Sequence, residues 1–231
     1  MLSRLLEPGV IVIAAAALSV SVFSMYFSRV LLPSKMKRAY LKSITALAAV
    51  VETKDSGTVG HAQRVAELTT AVARRMGISG KELERMEYAA LLRDIGKANI
   101  PQAILNKTEP LTDAEWVTVQ AHTLLGAEMV AAVPFLADTA DYVRHHHECW
   151  DGLGYPDKMK GEQIPLGSRI LSVASDYDAM ISERPYHPVG ASPEDALREI
   201  ESAAGVKYDP VVVEVFVDLS REGMLQKLKA A

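Results

Sequence analysis

The stretch from His145 to Pro156, HHHECWDGLGYP, sets three consecutive imidazoles, two acids and a glycine-punctuated tyrosine turn side by side. Adjacent imidazoles are poor core material, because each ring carries two nitrogens that need partners, and neutral histidine is a frequent transition-metal ligand. The run therefore reads either as part of a metal site or as a polar helix end with solvated histidines. His61 near a helix start, Asp94 in LLRDIGK and His122 in AHTLLG join His146 and His147 as candidate ligands. Imidazoles with a bridging carboxylate suit borderline divalent ions such as Fe, Mn, Co, Ni or Zn. Neighbouring ions of this kind activate a water and clamp the phosphoryl oxygens of an in-line displacement, so phosphodiester hydrolysis is the expected chemistry.

Ligands this dispersed need a scaffold, and the helix-end signals supply one. Ser79 with Glu82 and Thr112 with Glu115 have the spacing of capping boxes, and Gly77 and Gly205 sit where C-caps are expected. Ser192-Pro193 and Asp209-Pro210 each place proline at the first position of a helix, the first carrying Ala196, Leu197 and Ile200, the second Val212, Val215 and Phe216. No alternating strand of convincing length is present, and the β-like Val211–Val213 falls inside a helical pattern. The expected fold class is all-α.

At 231 residues and 49% hydrophobic content, the chain suits one domain plus an appendage. A net charge of -4 argues against a general binder of nucleic-acid polymers, which needs a basic face. Cys149 is the only cysteine, so no intrachain disulfide forms, which fits a reducing compartment. Residues 8–28 carry no charge, and a helix over them covers a hydrocarbon core of ~30 Å. Arg29, Lys35, Lys37, Arg38 and Lys42 follow this span and only Arg4 precedes it. The positive-inside rule then predicts a single-pass protein of the inner (cytoplasmic) membrane with its bulk in the cytoplasm. A cleaved signal peptide is the competing reading. Pro33 and Ser34 should break the span, after which Met36, Tyr40, Ile44, Leu47 and Val51 form an amphipathic stripe. That stripe is expected to be the first helix of the core, with pairing of two subunits in a homodimer as the other use.

The segments LLRDIGKANIPQAIL, LTDAEW, HHECWDGLGYP, IPLGSRILSVASDYDAM, ERPYH and KYDPVVVEVF, in this order, resemble the HD-GYP domains of bacterial cyclic di-GMP phosphodiesterases. The resemblance runs from about Tyr40 to Phe216 and implies an HD-hydrolase helical core with a GYP extension. The expected division is residues 1–33 as membrane anchor, 34–54 as linker and first helix, and 55–231 as the HD-GYP domain. The resemblance also implies metal ligands at His61, position 93, Asp94, His122, His146, His147 and position 175. It assigns Lys97 to the scissile phosphate, Tyr155 to seating the dinucleotide, Arg184 and His187 to the ligand phosphate, and the GYP loop to a signalling partner.

Two of the implied ligand positions have changed, to Arg93 and Ser175, and Gly57 stands where some members carry an extra glutamate. A guanidinium does not coordinate a cation, and a serine hydroxyl is a far weaker ligand than a carboxylate. Asp176 should not compensate, since one residue along a helix turns a side chain by about 100°. Arg93 is expected to pair with Asp94 in place of a metal, leaving at most one or two divalent ions (Fe or Mn) and a site that binds cyclic di-GMP with little or no turnover. Glu148 and Asp151 are expected to orient histidines or cap the turn, Cys149 to be a bystander, and Trp116, Trp150 and Met180 to be core.

Overall fold

The computed structural model describes residues 8–55, 60–182 and 190–223. It divides into two compact units, Met1–Ile44 and Thr45–Ala231.

In the first unit, helix α1 (Pro8–Tyr26) contains no charged residue, and the apolar side chains of Val12, Leu18, Val20 and Phe23 are exposed. By length and composition the N-terminal helix is long and apolar enough to cross a membrane. Pro33 does not break it. A π-helical turn, Phe27–Leu31, leads directly into helix α2 (Leu32–Asp55), and Leu32 donates its N–H to the Phe27 carbonyl. Proline lacks the N–H that would bond four residues back, and the wider turn just before it lets the helix continue without that bond.

The second unit holds the rest of α2 and nine further helices among the described residues: α3 (His61–Arg75), α4 (Gly80–Leu92), α5 (Gln102–Leu105), α6 (Asp113–Gln120), α7 (His122–Ala131), α8 (Ala140–His145), α9 (Leu166–Ile181), α10 (Pro193–Ser202) and α11 (Pro210–Arg221). No strand occurs among them, only an isolated bridge between Ala204 and Tyr208. Helix α3 packs on α4 and α9, α11 closes over α3 and α9, and α8 lies against α4, α7 and α9. Val65, Val72, Leu92, Ile170, Leu171 and Phe216 are fully buried between these helices. Burial of each such side chain contributes about 1.5–3 kcal/mol. Of the amphipathic stripe of α2, Val51 is buried in this unit, as is the neighbouring Ala48.

The local stops and starts follow side-chain chemistry. Thr112 and Glu115 form a reciprocal capping box on α6, and Ser192 and Asp209 accept the N–H groups of Asp195 and Val211 ahead of their prolines. Gly77 takes φ +83° just past the end of α3. The expected box on α4 does not form, because the Ser79 side chain makes no capping bond and Glu82 turns instead to Arg85 and Tyr142.

Candidate metal centre

Three imidazoles converge at the junction of α7 and the end of α8. One ligand atom from each of His122, His146 and His147 lies within 4.8 Å of the others. Their orientation is fixed from behind: the Val119 carbonyl lies 2.7 Å from His122 Nδ1, and the Val143 carbonyl 2.6 Å from His146 Nδ1. A carbonyl only accepts, so each Nδ1 is the protonated nitrogen and each Nε2 keeps its lone pair. His146 Nε2 is buried with no hydrogen-bond partner, an arrangement that costs free energy unless an ion or water satisfies it. Burial first, and the neighbouring imidazoles second, hold His146 well below its ordinary pKa and push His147 down to about 3. Neutral rings with inward lone pairs are what a divalent ion binds. The cluster fits one.

Asp94 follows α4 and opens the 3₁₀ turn Ile95–Asn99. Its Oδ1 lies 3.9 Å from His122 Nε2 and 2.8 Å from Lys97 Nζ, while its Oδ2 meets Arg93 Nε at 3.2 Å. Burial opposes ionisation, but Lys97 and Arg93 outweigh it and hold the Asp94 carboxyl well below the usual carboxylate range. The turn can approach α7 because residue 96 is glycine: a Cβ there would meet the His122 carbonyl oxygen at 2.0 Å. Arg93 is the largest fully buried side chain of the chain's described residues, with Nη1 donating to the Ala90 carbonyl at 2.7 Å. It lines a cavity with Glu52, His61, Asp94 and Lys97. That side of the site presents a guanidinium and does not fit a metal.

His61, the first residue of α3, stands outside the three-imidazole cluster, with Nδ1 2.6 Å from Asp178 Oδ2. Burial first, and Arg93 second, lower its pKa against the pull of Asp178. Glu52 accepts the N–H groups of Ala62 (2.6 Å) and Gly60 (3.3 Å), capping α3 where His61 begins it. Ser175 lies on α9, half-buried. Asp176, beside it, points to a different set of partners, accepting from Tyr208 Oη and pairing with Lys207 Nζ, each at 2.8 Å.

The GYP turn closes the other flank. Tyr155 stacks on His147, ring centroids 4.9 Å apart, and meets the Trp116 indole edge-on at 6.4 Å. Glu148 accepts from the N–H groups of Asp157 and Met159, and Asp151 from that of Leu153, so both carboxylates brace the turn. Gly154 is compulsory, because a Cβ there would fall 2.3 Å from the Cys149 nitrogen. His145, the first imidazole of the run, leaves the cluster for Asp157 at 2.8 Å. Trp116 is not core: it is 48% exposed, its ring spent on Tyr155. Trp150 is half-buried under the Arg169 guanidinium, and Met180 is half-buried as well. Arg184, His187 and Gly57 lie outside the described residues.

The structure thus brings His122, His146, His147, Asp94 and Lys97 together, with Tyr155 against His147, and sets His61 on the cavity shared with Arg93. Asp178, Arg64 and Glu52 went unread in the sequence. For Asp178 a signal existed, since it lies three residues after Ser175 and so near the same face of α9.

The chain matches the HD domain family over residues 45–212. It is 41% identical over 174 residues to a cyclic di-GMP phosphodiesterase of Thermotoga maritima, which covers 74% of this chain and 47% of the relative. It is 35% identical over 190 residues to a cyclic di-GMP phosphodiesterase of Vibrio cholerae, with 76% and 38% covered. Among solved structures, a cyclic GMP-AMP phosphodiesterase of V. cholerae superposes with a TM-score of 0.62 at 24% identity, over 82% of this chain and 50% of that one. The chain therefore spans less than half the length of these two relatives. With the helical HD-type fold, these likenesses place the chain in the HD domain family, in its HD-GYP group.

Proposed function

We propose that this chain is a membrane-anchored HD-GYP protein of cyclic di-GMP signalling that binds the dinucleotide at a site reduced to one divalent ion, with little or no turnover. The carrying observation is Arg93, buried to 1% exposure with its Nε on Asp94, where the HD pair of the family has a histidine. A guanidinium neutralises the carboxylate as a cation would, and it supplies no Lewis acidity. An ion held by His122, His146, His147 and Asp94 would polarise a phosphodiester oxygen from one side only. Around that ion, Lys97 neutralises phosphate charge, and Tyr155 and Trp116 offer ring faces and edges for a nucleobase. The uncharged α1 supports anchoring in the membrane, and the basic residues from Arg29 to Lys42 support a cytoplasmic position for the second unit. The exposed Leu153 and Trp116 around the GYP turn suit a signalling partner.

A second reading, a slow metal-dependent phosphodiesterase, is favoured by the intact three-imidazole cluster. The two are separated by single-turnover assays on the full chain in detergent, purified without oxygen and supplied with Fe or Mn. Saturable binding of cyclic di-GMP with no linear product is expected. Product formed at a measurable single-turnover rate establishes the slow enzyme, and failure to bind the dinucleotide contradicts both.

A further inference from the structure

The α9 residue Asp178 is 1% exposed and takes no part in the chemistry described above, yet it is one of the most heavily bonded side chains in the domain. Arg64 forks onto it, Nε to Oδ1 at 2.7 Å and Nη2 to Oδ2 at 2.9 Å, and the same Nη2 reaches Ser182 Oγ at 3.0 Å. Ser182 Oγ in turn donates to Oδ2 at 3.2 Å. With both oxygens engaged, the carboxylate has one rotamer, and in it Oδ2 meets His61 Nδ1 at 2.6 Å.

Asp178 is separated from His61 by 117 positions in the chain, so this contact ties α9 to the first residue of α3. An ionised carboxylate only accepts, so it fixes the proton of a neutral His61 on Nδ1 and the lone pair on Nε2. A neutral imidazole free in water favours the other tautomer, which would close Nε2 to any ion. From this geometry we infer that Asp178 is the positioning residue of His61: clamped by Arg64 and Ser182, it sets the ring's tautomer and direction and leaves the lone pair on Nε2. His61 lines the same cavity as Arg93 and Asp94, so its tautomer decides which ring nitrogen could serve an ion if residue 93 were again an imidazole. The carboxylate–histidine pairing behind metal ligands follows the same logic, and loss of such a support costs about 10–100-fold in metal affinity.

The inference rests on the metal-centre reading for its purpose, but its test does not. Long-range ¹H–¹⁵N correlation spectra of the metal-free, ¹⁵N-histidine-labelled full chain report the tautomer of each imidazole, and His61→Gln identifies the His61 signals. The expected result is the Nδ1–H tautomer for His61 in the unmodified protein and a shift to Nε2–H in Asp178→Ala. An Nε2–H tautomer in the unmodified protein overturns the inference whether or not the variant folds, and so does an unchanged Nδ1–H tautomer in folded Asp178→Ala. In the Arg93→His, Ser175→Asp background, adding Asp178→Ala should weaken binding of the restored second ion about 10–100-fold by metal titration; unchanged affinity there overturns it too. Turnover by the unmodified chain would defeat the proposed function and leave the tautomer result standing.

Discussion

The chemistry of this site turns on which nitrogens keep a lone pair, and four histidines receive three different answers. His146 and His122 are backed by carbonyls, His61 by a carboxylate, and His145 is withdrawn to Asp157. The buried pair of neutral rings has a consequence for stability. Burial lowers His146 and takes His147 to about 3, whereas an unfolded histidine titrates near 6.5. Below that pH the unfolded chain binds protons that the folded one refuses, so folding stability is lost as pH falls from 6.5 toward 3, at about 1.4 kcal/mol per pH unit for each proton. Asp178 and Asp157, both depressed to about 2, add their own loss only below about pH 4. Urea unfolding of the metal-free protein should therefore show stability falling between pH 6.5 and 4; a flat profile there would contradict the buried, neutral cluster. Residue types pointed to candidate ligands in the sequence, and the fold brings three of them, His122, His146 and His147, together. What could not be read was the backing: carbonyls leave no trace in side-chain types, and the Asp178–His61 bond joins residues 117 apart.

At the scale of elements, the site is a problem of close approach. The candidate ligands that meet come from the turn after α4, α7 and the end of α8, while His61 of α3 stays apart, and the Ile95–Asn99 turn lies against α7 without a side chain between them. Gly96→Ala would place a methyl 2.0 Å from the His122 carbonyl oxygen, so α7 or the turn must shift. A loss of about 2–4 kcal/mol by chemical unfolding, with weakened metal binding, is the expected outcome; a variant of unchanged stability would show that the turn is not held against α7. Helix ends were legible where the cap is local, as at Thr112, Ser192 and Asp209. They were not legible where a distant partner outbids the cap, as when Tyr142 and Arg85 take Glu82 away from Ser79. Pro33 misled for a related reason, since a π turn absorbed the missing hydrogen bond. Trp116 was misplaced because indole size suggests core, whereas its ring is needed at the surface beside Tyr155.

For the molecule as a whole, an uncharged N-terminal helix precedes a helical HD domain in which three imidazoles cluster and a buried guanidinium pairs with Asp94. The all-helical class was legible because each helix carries its own periodicity and boundaries, and the family because six motifs occur in order. The state of the metal centre is the point on which the functional account stands. The measurement is metal content per chain, by elemental analysis of full-length protein purified without oxygen and supplied with Fe or Mn, for the unmodified chain and for Arg93→His, Ser175→Asp. The account predicts at most about one ion in the unmodified protein and about two in the variant, since the exchange restores an imidazole and a carboxylate where a guanidinium and a hydroxyl stand. Two ions per chain in the unmodified protein, or no gain in the variant, would contradict it.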